Sequence, residues 1–257
     1  MSTGVGAPRQ APRVHAGPPL GAVFFAEYKV LLRSVATRGR LGAIAFLAGL
    51  SVLTAIVVAG LTSDSDGVQA GINFVDGNVA TLLPVAVLVF GSAVLGDLID
   101  DGSLVYLWLR PIPSWLHVLA AWAATVTIVI PLVLAPIVVS VAIIHPSAEL
   151  IGATVLGGVV GIVAYAALFV MLGIRFRRAL PWGLVYILIW EGYIASAGKT
   201  ATKLAIRSYV RSILGAITDT TLKLGNFSLA VGILVPLVVA AVALLYASRR
   251  LARTDVA

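Results

Sequence analysis

Cysteine is absent from this chain of 257 residues. Without thiols the protein forms no disulfide framework, and cysteine nucleophiles and thiolate metal ligands are excluded. Histidine is scarce as well, with His15, His117 and His145 far apart in the sequence. Three scattered histidines cannot assemble a zinc site without several carboxylates. We therefore expect no metal site in this chain.

Charged residues are few, at 11% of the chain against 60% hydrophobic residues and a mean hydropathy of +1.05. This composition is typical of a polytopic membrane protein, so we expect an all-helical fold in a lipid bilayer. The formal net charge of +7 then reflects the lysine and arginine excess that orients membrane proteins, and we expect no nucleic-acid partner.

Signals for catalysis are also missing. An intramembrane serine protease needs a serine nucleophile within reach of a histidine base, but the run 150–173 contains no serine. The sequence GYIASAGKT at 192–200 comes close to a phosphate-binding loop, but it has one residue too many between its glycines. We therefore expect no catalytic site and no cofactor bound by this chain.

Long apolar runs dominate the sequence, most of them near or above the twenty residues needed to cross a bilayer. They predict one transmembrane domain at 41–248, preceded by a disordered cytoplasmic tail at 1–20 and an interfacial amphipathic helix at 21–40, and followed by a cytoplasmic tail at 249–257. The predicted spans are 41–61, 74–96, 115–144, 150–173, 180–197 and 227–247. Both termini are then cytoplasmic in a multi-pass protein of the plasma membrane.

Two of these runs carry residues that shape helices. Pro131 and Pro136 are expected to kink or tilt the long third span. Gly157 and Gly161 in the fourth span form a small-residue face that allows another helix to approach closely. Glycine is also generally common in membrane helices, so a packing role and simple abundance are both open.

The fifth run leaves the topology ambiguous because it is short and is followed by a basic amphipathic stretch. The basic residues recur every fourth position, which indicates a helix with one basic face, and they are Lys199, Lys203, Arg207 and Arg211. If the fifth run crosses, six arginines after the fourth span lie inside and five basic residues lie outside. If it does not cross, eight lie inside and three outside, so charge slightly favours a run that does not cross.

Glu191 lies about eleven residues, or roughly 16 Å at the helical rise, beyond Leu180, which places it near the middle of the membrane. A carboxylate at that depth is a candidate for contact with substrate or protons. The alternative is structural, since a carboxylate can anchor a folded-back helix through its backbone N–H groups.

The segment 97–117, DLIDDGSLVYLWLRPIPSWLH, is a polar elbow between two apolar runs. Its aspartates are too costly to leave in hydrocarbon, and its prolines stop the short amphipathic stretch that follows them. An ordinary surface loop is one interpretation. The length of the elbow, bracketed by acids and prolines, favours a docking surface.

Taken together, the interfacial helix before six spans, the elbow at 100–104 (DDGSL) leading to 109–113 (LRPIP), and Trp190-Glu191 before a long outer segment resemble the permease subunit of the ABC-2 family of ATP-driven exporters. That family carries an acid-basic-glycine-threonine turn at this place. Here Asp101 replaces the basic residue and Ser103 the threonine.

The resemblance implies a homodimer of six-span subunits, each docked to a separate cytoplasmic subunit that binds ATP and magnesium. It also implies that the fifth run crosses, and that the amphipathic stretch after it is a re-entrant segment at the outer leaflet. The residues expected to couple to the ATPase are Asp97, Asp100, Asp101, Gly102, Ser103, Leu104, Leu107, Trp108, Arg110 and Pro111.

The function expected from the resemblance is export of a lipid-like or amphiphilic, drug-like substrate by alternating access. ATP hydrolysis occurs on the partner subunit. Two other classes remain open: a secondary transporter or channel, for which ionisable residues inside the membrane should be plentiful, and a membrane scaffold that transports nothing and needs no coupling elbow.

Overall fold

The computed structural model describes residues 19–101, 112–176, 178–193, 202–220, 222 and 227–253. Within these ranges all regular structure is helical, and no strand is present. The all-helical fold class expected from composition is therefore confirmed for the part of the chain that the structure describes.

The helices follow one another in short steps. In chain order they are α1 (Leu20–Val35), α2 (Arg38–Leu61), α3 (Gly67–Ala80), α4 (Leu82–Asp100), α5 (Ser114–Val129), α6 (Ala135–Ile144), α7 (Ala148–Arg175), α8 (Ala179–Val185), α9 (Ile206–Thr218) and α10 (Leu229–Ala252). A 3₁₀ turn, Asp64–Asp66, precedes α3, and π-helical stretches occupy Ile130–Leu134 and Tyr186–Tyr193.

In the part of the chain that the structure describes, five helical stretches are long and apolar enough to cross a membrane, which is consistent with a multi-pass membrane protein. They are Arg38–Leu61, Gly67–Asp100, Ser114–Ile144, Ala148–Arg175 and Leu229–Ala252. The predicted run at 180–197 is not among them. Its described part, 180–193, consists of α8 without its first residue and the following π-helical stretch, and it is about 21 Å long at the helical rise. That is shorter than a hydrocarbon core of roughly 30 Å, so the sixth crossing stays a prediction.

The second membrane-length stretch is broken inside. Thr81 separates α3 from α4 with backbone angles φ −127° and ψ −69°, which no helix adopts. Three residues later Pro84 has no backbone N–H, so the carbonyl of Ala80 cannot receive its usual helical hydrogen bond. The break thus has a local cause, and it leaves polar backbone at a depth where hydrocarbon cannot satisfy it.

The third stretch is also irregular, at the two prolines noted in the sequence. The π-helical stretch Ile130–Leu134 contains Pro131, and Pro136 follows in the first turn of α6. Local widening of a helix is a usual way of absorbing the missing proline donors.

Helix α7 lies at the centre of the bundle, where Tyr165 and Phe169 are fully buried. Its glycines allow close packing: a Cβ at Gly157 would lie 3.1 Å from Val210 of α9, and a Cβ at Gly161 would lie 3.3 Å from the same side chain. The glycine face therefore holds α9 within the chain itself.

The region predicted as an interfacial helix at 21–40 contains α1 and the first turn of α2. Helix α1 buries Glu27, Leu31 and Val35, while Phe25 and Val30 remain exposed. This helix therefore packs one face on the bundle and offers an apolar face outward, as a helix at a lipid headgroup surface does.

Candidate functional site

Three long-range polar contacts lie at the end of the bundle that borders the elbow, which we call the elbow end. The first joins the start of α2 to the end of α4: Nη2 of Arg40 lies 2.6 Å from Oδ2 of Asp97. The Asp97 side chain is 49% exposed, so this ion pair contributes no more than about 1 kcal/mol to stability. Its structural effect is to join the two helices where the elbow begins.

The second contact is at the last residue of α4, where Oδ2 of Asp100 accepts a hydrogen bond of 3.3 Å from the backbone N–H of Arg178. Arg178 immediately precedes α8 and has the left-handed angles φ 57° and ψ 57°. A residue other than glycine is strained there. Asp100 therefore helps to hold a strained turn between α7 and α8.

The third contact lies at the end of the elbow segment 97–117. Nδ1 of His117, in the first turns of α5, lies 3.0 Å from Oε1 of Glu27 in α1. Both side chains are buried. A buried polar pair that joins two helices restricts their relative position, because either partner alone would be left unsatisfied.

Three of the residues predicted to couple to the ATPase are described. Asp97 and Asp100 make the contacts above, and Asp101 follows α4 as an exposed cap residue whose N–H donates to the carbonyl of Asp97. The other predicted residues, Gly102, Ser103, Leu104, Leu107, Trp108, Arg110 and Pro111, lie outside the described residues.

A second polar cluster surrounds Glu191, which is only 1% exposed. Its Oε1 accepts hydrogen bonds from the hydroxyl of Tyr186, at 2.8 Å, and from the backbone N–H of Ile206, at 3.0 Å. Its Oε2 accepts from the backbone N–H of Arg207, at 3.1 Å. The hydroxyl of Tyr165 lies near the same carboxylate.

These bonds make Glu191 the cap of α9. Ile206 and Arg207 are the first two residues of that helix, and the first N–H groups of any helix lack partners within it. A carboxylate there also favours the positive end of the helix dipole. The geometry therefore matches the anchoring role considered for Glu191 from the sequence.

Asp76 also belongs to this cluster. It was not among the predicted site residues. It lies in α3 and forms a bidentate pair with Nε and Nη2 of Arg211, while Nη2 of Arg207 is 3.5 Å away. The sequence does show Asp76 as an acid inside an apolar span, and such an acid requires a cationic partner. Its partner is 135 residues away in sequence, so spacing alone could not identify it.

The residues predicted to form one basic face, Lys199, Lys203, Arg207 and Arg211, do not all point the same way where the structure describes them. Arg207 and Arg211 are turned toward Asp76, whereas Lys203 is exposed and precedes α9. Burial lowers the pKa of Arg207, as does the neighbouring charge of Arg211, while Asp76 opposes the shift. Lys199 lies outside the described residues.

The fold and these two clusters define a helical protein with several membrane-length helices that are fastened to one another by buried and half-buried polar contacts. No family model matches this chain. A search of curated proteins also returns no match.

Proposed function

We propose that this chain is the permease subunit of an ATP-driven exporter of the ABC-2 type. It works as a homodimer in the plasma membrane, and each copy docks on a separate cytoplasmic ATPase through the elbow at 97–113. Movement of the elbow alternates the bundle between two packings, and the cargo is a lipid-like or amphiphilic molecule.

The observation that carries the proposal is the arrangement of contacts at the elbow end. Asp97 and Asp100, at the start of the elbow, hold Arg40 at the start of α2 and the turn before α8. His117, the last residue of the segment 97–117, holds α1. A displacement of the elbow would therefore act on several helices at once, as a coupling lever requires.

The second cluster counts against a proton-coupled secondary transporter. The Glu191 carboxylate is fully engaged with a hydroxyl and two backbone N–H groups. A proton-carrying carboxylate must exchange partners during transport, whereas this one has the bonding of a structural cap. This bonding supports an ATPase partner over proton coupling through Glu191 as the proposed energy source.

The proposal includes six crossings, with both termini cytoplasmic and 199–223 outside. We expect a single cysteine at Thr202 to react with a membrane-impermeant maleimide from the outside of intact cells, since the chain contains no other thiol. Labelling of the same position only in inverted vesicles would refute the six-span topology. A cysteine replacing Ser248 in the last turn of α10 serves as the control that should react only from the cytoplasmic side.

Coupling to the ATPase is expected to depend mainly on Trp108. Removing a buried aromatic anchor commonly costs about 2 kcal/mol or more, so Trp108→Ala should weaken copurification of the ATPase by roughly thirtyfold. The charge variant Asp101→Asn removes only an exposed charge, and its effect should be small and salt-dependent.

The measurement is the amount of ATPase retained on the tagged permease, together with transport per ATP hydrolysed. If no ATPase copurifies with the unmodified chain, the exporter proposal is wrong. If the ATPase stays bound and coupled in Trp108→Ala, the elbow is not the coupling surface.

A further inference from the structure

A groove of about 740 Å³ lies between α2 and the broken pair α3 and α4. Its walls are mainly apolar, but five of the lining residues carry neutral polar groups. These are Ser51, Thr54, Asn73, Asn78 and Thr81. Among the described residues, no lysine, arginine, aspartate or glutamate lines it.

The polar groups lie at a depth where contact with lipid tails is unfavourable. Ser51 is thirteen residues into α2, about 20 Å along a helix of roughly 36 Å, and its hydroxyl donates to Oδ1 of Asn78 at 2.8 Å. Asn78 is therefore at the same depth. Exposed amides and hydroxyls at that depth need polar partners, because hydrocarbon provides none.

The groove offers both hydrogen-bond acceptors and donors. The hydroxyls of Thr54 and Thr81 donate to the carbonyls of Leu50 and Gly77, and their oxygens retain lone pairs that can accept. The carboxamides of Asn73 and Asn78 accept through Oδ1 from Gln69 and Ser51, and each carboxamide nitrogen carries two N–H donors. The helix break at Thr81 borders the same space, and the carbonyl of Ala80 lacks its helical donor there. Discontinuous helices at membrane depth commonly line binding sites.

We propose that this groove binds an uncharged amphiphile whose head group forms hydrogen bonds, such as a hydroxyl or an amide, and whose tail lies along the apolar wall. A charged head group is disfavoured because the lining offers no counter-ion. The inference rests on the proposed function only where it treats the ligand as the cargo of an exporter. Binding itself requires no ATPase.

The test uses three photoactivatable probes with the same alkyl tail and a hydroxyl, a carboxylate or a trimethylammonium head group. Each is applied to the full-length chain in neutral lipid vesicles, and labelled residues are mapped by mass spectrometry. We expect the hydroxyl probe to label the groove at least about fivefold more than either charged probe, the factor that one hydrogen bond provides.

A second groove provides an internal reference. It has about 520 Å³, and it lies between α7 and α10 with Arg175 in its lining. A probe that binds only through its alkyl tail should label both grooves, whatever its head group. Equal labelling of the first groove by all three probes would overturn the inference.

Gly77 offers a variant that fills the groove without disturbing the fold. It lines the groove, and a Cβ there meets nothing within 4 Å, so Gly77→Leu extends into the open space while improving helix propensity. We expect this variant to lose most labelling by the hydroxyl probe. Gly152→Leu is the matched control, because Gly152 also faces open space but does not line the groove. Unchanged labelling in Gly77→Leu would contradict the proposal.

Thr54→Val tests the polar part of the argument, since valine keeps the shape and removes only the hydroxyl. We expect the preference for the hydroxyl probe over the charged probes to shrink. A second copy of the chain is the other candidate occupant. Efficient disulfide crosslinking of a Gly77→Cys variant between chains, with no probe labelling, would assign the groove to the dimer interface and refute the ligand site.

The two proposals fail in different ways. Selective labelling without a copurifying ATPase would refute the exporter proposal and retain the groove as a lipid-binding site. Unselective labelling with a coupled ATPase would retain the exporter proposal and refute the ligand site in the groove.

Discussion

Replacing Asp76 by alanine is expected to destabilise the protein by about 3 kcal/mol, because it leaves two largely buried guanidinium groups without their counter-ion. The side chains of Arg207 and Arg211 are only 18% and 12% exposed, and that of Asp76 is 22% exposed. Water can therefore compensate only part of the loss. The measurement is the unfolding temperature of the purified protein in detergent.

Glu149→Ala is the matched control for Asp76→Ala. Glu149 is an exposed acid in the first turn of α7, and its loss removes only a helix-dipole interaction of about 0.3–1 kcal/mol. A double substitution separates the ion pair from other effects: Asp76→Leu with Arg211→Leu should recover part of the stability lost in Asp76→Leu. If Asp76→Ala is no less stable than Glu149→Ala, the pairing does not stabilise the bundle.

Glu191→Leu is expected to be the second large effect, because the buried N–H of Ile206 and the partly buried N–H of Arg207 at the start of α9 lose their acceptor. Each unsatisfied donor costs about 1–3 kcal/mol, and the same change leaves the hydroxyl of Tyr186 without its partner. We expect α9 to detach from the bundle, which hydrogen exchange of 206–218 would detect as lost protection.

Glu191→Gln distinguishes structure from transport. Glutamine keeps one acceptor oxygen but presents an N–H₂ group where the carboxylate received the second backbone donor, so we expect partial loss of about 1 kcal/mol. Tyr186→Phe is the matched control that removes a single hydrogen bond to the same carboxylate. Lost transport in Glu191→Gln with normal assembly and normal protection of α9 would falsify the purely structural role.

Sequence patterns predicted features that depend on residues close together in the chain. The apolar run at 41–61 and the helix Arg38–Leu61 nearly coincide, because hydropathy adds residue by residue along a span. The irregularity near Pro131 and Pro136 follows from missing backbone donors. The Gly157 and Gly161 face was visible as a pattern, but the sequence did not identify Val210 as the side chain packed there.

The partners of the polar residues were not predictable in the same way. The sequence suggested two roles for Glu191, and the structure places it on the N–H groups of Ile206 and Arg207. The basic stripe was expected to act as one face, whereas Arg207 and Arg211 turn to Asp76 and Lys203 does not.

Local sequence was therefore enough to predict the helical class, five of the six apolar runs that form membrane-length helices in the described residues, and the irregularity at Pro131 and Pro136, since each depends on neighbours within a few turns. It did not predict the break at Thr81 inside the run at 74–96. Nor did it show which polar groups meet: Arg40 with Asp97, Glu27 with His117, and the Asp76 cluster. Those contacts depend on the rotation and depth of each helix relative to the others. Rotation and depth are set by packing over the whole bundle, which no stretch of sequence encodes alone.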